Sequence, residues 1–199
     1  MDTPQTRSVQ NLENLYSVVI GAGLSLAIFV VVDSGRSPVP LKLELLPYFL
    51  SYLVTLIPFY HGALRHLDSV YIENSGPVRS GALLLDFLGL FAESCVFLAL
   101  AVLLPAPQVF ACGVVVLLLV DIIWGLLAHI AVSKQRAEVT WAYINIITAV
   151  VLTLVLVLLG AFPPSHTASD VRLSVSILFI TLARSAIDYG LNWKFYYPS

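Results

Sequence analysis

Read from the N-terminus, the chain alternates long apolar runs with short polar breaks, and the runs have the length of membrane helices. A bilayer-spanning helix needs about 20 predominantly apolar residues. Six stretches meet that requirement: Leu15 to Val32, Leu45 to Leu64, Ala82 to Leu104, Val109 to Val132, Trp141 to Ala161 and Val171 to Leu191. Three of the breaks, DSGRSPVP, ENSGPVRS and FPPSHTASD, are rich in Pro, Gly, Ser and Asp, the residues that punctuate helices. Only PAPQ separates the third and fourth runs, so those two predict an antiparallel hairpin. The pattern predicts an all-α, polytopic membrane protein with six transmembrane helices forming a single domain over residues 1–199.

Lysine and arginine orient the bundle. Arg7, Arg65, Arg79, Lys134, Arg136 and Lys194 fall on one side and Arg36, Lys42 and Arg172 on the other. Six against three predicts that both termini are cytoplasmic. Under that orientation most ionisable residues of the runs lie in the cytoplasmic half.

Composition agrees with this reading and narrows the function classes. The chain is 59% hydrophobic and 11% charged, with a mean hydropathy of +0.92. Soluble domains carry roughly 25% charged residues. A net charge of -2 with scattered basic residues gives no electrostatic footprint for nucleic acid. The polar start MDTPQTRSVQ, with no small-residue cleavage pattern behind the first run, argues against a removable signal peptide. Cys95 and Cys112 both lie inside apolar runs and read as free thiols.

The second run carries the densest chemistry. His61, Arg65 and Asp68 recur at i, i+4 and i+7, which puts them on one helical face. Ionisable groups at membrane depth are costly unless they meet partners or water, and they are functional candidates by default. Asp86, Glu93, Asp121, Arg184 and Asp188 join the three as a polar network drawn from several helices. A structural salt-bridge network is the plainer reading of the same residues. Glu93 is the deepest charge and has no evident base at its depth, which singles it out as the group that titrates or meets a cation.

The first run differs in kind. It holds no ionisable residue between Glu13 and Asp33, and Ser17, Gly21 and Ser25 recur every four residues. Such a stripe allows close helix approach, and it is also a candidate pore lining. No His/Cys metal pattern, G-x-S-x-G elbow or TVGYG filter is present, so neither cofactor nor metal is expected.

Asn11-Leu-Glu-Asn-Leu-Tyr-Ser17, running on through VVIGAGLSLAI, resembles the RLEAFSD start of the six-helix lysosomal and bacterial potassium channel family, which lacks the usual carbonyl filter. Pro47-x-Phe49-Leu50-Ser51-Tyr52 and Phe59-Tyr60-His61 to Arg65 look like that family's second helix, and Asp86 falls where it often has Asn. The resemblance covers the first half of the chain. Tyr16 and Ser17 stand at the family's Ser and Asp, Ser25 falls on its pore threonine, and Ala22 stands where a bulky isoleucine would form the constriction. The resemblance implies a homo-oligomeric channel for a monovalent cation, a tetramer in a bacterial inner membrane, with the first helix lining the axis. Two other classes fit the composition. One is a membrane-integral effector or scaffold, in bacterial stress or phage defence, that perturbs the membrane on binding a cytoplasmic partner. The other is an intramembrane lipid enzyme acting through Glu93, Asp86 and His61.

Overall fold

A computed structural model describes residues 4–33, 35, 40–73, 80–133, 135–159 and 171–198. Arg36, Arg79, Lys134, His166 and most of the three long connections lie outside the described residues. The chain is helical: α1 (Pro4–Val31), α2 (Leu46–Leu67), α3 (Ser80–Leu103), α4 (Pro107–Ala128), α5 (Arg136–Leu158), α6 (Val171–Leu191) and a short C-terminal α7 (Trp193–Tyr196). A 3-10 turn, Leu43–Leu45, leads into α2, and π-helical turns prolong α2 (Asp68–Ile72) and α4 (His129–Ser133).

Among the described residues, five stretches, built on α1 to α5, are long and apolar enough to cross a membrane. Helix α6 is 21 residues, about 31 Å at 1.5 Å per residue, and it carries Arg172, Arg184 and Asp188. The helices begin earlier than the apolar runs do. Helix α1 starts at Pro4 instead of near Leu15, and α5 at Arg136 instead of Trp141.

Contacts close the six long helices into a ring in the order α1, α3, α4, α5, α6, α2. The predicted hairpin is present: α3 and α4 pack on each other, and Pro107 opens α4 at a position where a missing N–H costs nothing. Helix α2 leans into the ring, setting Tyr48 edge-on to Phe110, and Tyr52 and Phe59 edge-on to Phe97. Glycines admit close approach where it is needed. At Gly89 a Cβ would fall 2.1 Å from the Trp124 ring, so the bare backbone lets the indole lie on α3.

Pro58 sits inside α2 and has no N–H to donate to the Val54 carbonyl one turn back. The Ser185 hydroxyl of α6 donates to that carbonyl instead, at 2.8 Å. Helix α1 is tied off at its far end by Lys42, whose Nζ donates to Val30 O at 2.9 Å, and by a bridge between Val32 and Leu41.

Candidate functional site: a buried polar interior with an exposed small-residue helix

The ring encloses two buried polar clusters, and a third lies at the end of α2. The first is centred on Asp86, fully buried on α3. Its Oδ1 accepts from Trp124 Nε1 at 3.0 Å, and its Oδ2 accepts from the Tyr71 hydroxyl and faces His66 Nε2 at 3.2 Å. The other nitrogen of His66 faces Glu138 Oε1 at 3.2 Å, and His129 Nδ1 approaches Glu138 Oε2 at 3.3 Å. An imidazolium has a donor on each ring nitrogen and can answer both carboxylates at once. The cluster joins α2, α3, α4 and α5 at one level.

The second cluster runs across the ring. Arg184 of α6 is 4% exposed, and its Nε donates to Asn145 Oδ1 at 3.0 Å. The Asn145 amide donates in turn to Asp121 Oδ2. Arg184 Nη1 makes an ion-pair contact with Asp188 Oδ2 at 3.5 Å, and its guanidinium lies 4.3 Å from the centre of the Phe59 ring. Three neutral donors serve Asp188: Trp141 Nε1 at 3.1 Å, Asn192 Nδ2 at 2.9 Å and the Tyr196 hydroxyl at 3.1 Å. Beside Asp121, Arg184 and Asp188 is a cavity of about 10 Å³, lined also by Phe59, Trp141 and Tyr196. That is about the room one water needs.

Glu93 of α3 closes the far end of this cluster. It is 1% exposed and accepts from the Tyr16 hydroxyl of α1 at 2.8 Å. Tyr16 stacks on Tyr60 of α2, and the Tyr60 hydroxyl meets Ser17 Oγ at 2.9 Å.

The remaining predicted residues gather at the end of α2. Arg65 forms a two-pronged bond to Glu73, at 2.6 and 2.9 Å, and donates from Nε to Phe195 O at 2.9 Å. The Arg65 guanidinium beside Glu73 holds that carboxyl below the usual carboxylate range. His61 packs among Tyr189, Tyr196 and Tyr197, with Nδ1 3.2 Å from the Tyr189 hydroxyl. Burial, and then nearby Asp188, push the Tyr196 hydroxyl above its ordinary range. Half-buried Asp68 opens the π-helical turn and lies within electrostatic reach of Arg65.

The eight polar residues singled out from sequence are therefore divided among three groups. Glu93, Asp121, Arg184 and Asp188 share one, Asp86 belongs to another, and His61, Arg65 and Asp68 to the third. Sequence reasoning did not place His66, Glu138, Tyr16, Trp124 or Trp141 in the polar network. The one signal for His66 was its offset from His61: five residues apart on a helix, the two point to different sides, and the buried one is His66.

Helix α1 turns Val9, Leu12, Tyr16, Ile20, Ala27 and Val31 inward. Its opposite face leaves Asn11, Asn14, Gly21, Ala22 and Ser25 exposed together with Leu15 and Val18, and Ser17 half-buried at its edge. A Cβ added at Gly21 would meet nothing within 4 Å, and the Ser25 hydroxyl donates back to Gly21 O at 2.8 Å. On α5 the exposed face is mainly aliphatic, with Ile146, Ile147, Val150, Val151 and Leu154, and also shows Tyr143 and Thr153.

No family model, curated protein or solved structure matches the chain. The geometry described above is that of a helical membrane protein with a charged interior.

Proposed function

We propose that the chain is one subunit of a homo-oligomeric cation channel, with six membrane spans, both termini cytoplasmic and α1 lining the axis. The observation that carries this reading is the contrast between two outward faces. A helix facing lipid is covered mainly with large aliphatic side chains, as α5 is. Helix α1 instead sets two asparagines, a serine and bare backbone at Gly21 beside Leu15 and Val18. In hydrocarbon, polar groups and small residues on a helix surface favour contact with another helix or with water. Copies of α1 packed around an axis provide both.

Cation preference follows from charge. Among the described residues α1 has no Lys or Arg after Arg7, and half-buried Glu13 stands two turns further in, within reach of Asp68. Toward the opposite end of the same face, Ile28 is 46% and Phe29 77% exposed. These two supply the bulk for a constriction that Ala22 does not. The inner clusters hold α1's neighbours in register and are not the conduction path.

The test is potassium flux from liposomes containing only this protein. Dissipation of an imposed gradient by the wild type, lost in Gly21→Leu, supports the channel. Flux that arises only on adding a cytoplasmic partner would favour the effector reading, and absence of any flux would contradict a channel.

A further inference from the structure

Across the ring, three carboxylates, Glu93, Asp121 and Asp188, share one guanidinium, that of Arg184, and all four residues are at most 7% exposed. Asp188 has its ion-pair contact and three neutral donors. Asp121 has the Asn145 amide and borders the same cavity as Arg184. Glu93 has the Tyr16 hydroxyl alone among the described residues. The charged groups that face Glu93 are Asp121 from α4 and Arg184 from α6. From α1 it meets Tyr16, and from α2 the nearby titratable groups are the hydroxyls of Tyr60, stacked on Tyr16, and Tyr52, against Phe97. A buried carboxylate without a base of its own, next to a second acid, takes up a proton in preference to remaining charged.

We propose that Glu93 is a proton-binding site that fastens the pore helix: it is a carboxylic acid at neutral pH, and its deprotonation loosens α1 from α3. The gating half of this proposal rests on the channel reading above. As an acid, Glu93 offers its carbonyl oxygen to the Tyr16 hydroxyl, and one donor suffices. On deprotonation the carboxyl O–H bond breaks, the electron pair stays on Glu93 and the proton passes to water. The resulting carboxylate has two charged oxygens to satisfy and one donor at hand. Water must then enter the α1–α3 seam, and because the gap among Leu12, Leu15, Tyr16, Phe91 and Ser94 has no room for a water, the two helices must part to admit it. Ser17, next in sequence to Tyr16, carries the displacement to the outward face of α1.

The experiment combines infrared spectroscopy with potassium flux across a pH series, on wild type, Glu93→Gln and Tyr16→Phe in liposomes. A protonated-carboxyl C=O band is expected in the wild type at neutral pH, fading at alkaline pH as flux rises. Glu93→Gln, a neutral stand-in for the acid, should lack that band, unfold at the wild-type temperature and conduct at the low neutral-pH level throughout. Tyr16→Phe should raise flux at neutral pH while keeping the band. A band that persists unchanged in Glu93→Gln, or a strong loss of stability there, would show Glu93 to be ionised and overturn the proposal. A pH step in flux surviving in Glu93→Gln would overturn the gating half. Absence of flux in all three proteins would defeat the channel reading and gating together, and the band would still decide the proton site.

Discussion

Arg184 is the residue on which most of the interior charge converges, because one guanidinium meets Asn145 and Asp188 and borders a cavity with Asp121. Removing one member of a buried charge pair typically costs about 3 to 5 kcal/mol, since the other is left uncompensated. Arg184→Ala should therefore lower the thermal stability of the detergent-solubilised protein by an amount of that order. Adding Asp121→Asn should restore part of the loss, whereas adding Asp86→Asn should not, because Asp86 bonds to Trp124, Tyr71 and His66 instead. An additive cycle with Asp121 would remove it from the Arg184 network. That these groups fall within apolar runs was legible in the sequence. Their pairing was not, because each partner lies on another helix and which faces meet is decided by packing. Glu138 was missed for a related reason: the apolar run begins at Trp141, so a residue that is fully buried in the first turn of α5 read as part of a loop.

Two elements depend on residues that look incidental in the sequence. The Val54 carbonyl, left without its helical donor by Pro58, is satisfied across the α2–α6 contact by Ser185. Leaving a buried acceptor unpaired costs about 1 to 3 kcal/mol. Ser185→Ala should lose roughly that much on thermal unfolding, and Ser185→Thr, which keeps the hydroxyl, should lose less. On the other side of the ring, Gly89→Ala would drive a methyl into the Trp124 ring, and overpacking costs about 1 to 3 kcal/mol. The indole would have to leave Asp86, so a shift in tryptophan emission should accompany the loss. Unchanged emission and stability would mean that α3 and α4 are not in this close contact. Apolar run length revealed the existence and order of the helices but misplaced several of their starts. Hydropathy sees only the apolar part of a helix, while the largely polar stretch from Gln5 to Asn14 extends α1 ahead of its apolar run.

At the scale of the molecule, what separates a bundle standing alone in lipid from a subunit is the outward face of α1. The small-residue stripe was legible in the sequence. Which way it points was not, because Ser17, Gly21 and Ser25 would suit a contact inside the bundle equally well. In the structure Gly21 has open space beyond it, so Gly21→Leu should leave the folding stability of the isolated chain unchanged while disrupting assembly and flux. A drop in monomer stability would instead place the stripe inside the fold. The proposed orientation predicts that cysteines at Ser34 and Ser165 label from outside and one at Ser75 from inside. The most direct test of the account modifies the axis itself. In a background with Cys95 and Cys112 replaced by Ser, potassium flux through Ser25→Cys is measured before and after a charged, water-soluble thiol reagent, alongside Phe179→Cys on the outward side of α6, 72% exposed. The account predicts that the reagent blocks flux through Ser25→Cys and leaves Phe179→Cys unaffected. Flux through Ser25→Cys that is indifferent to the reagent would contradict it.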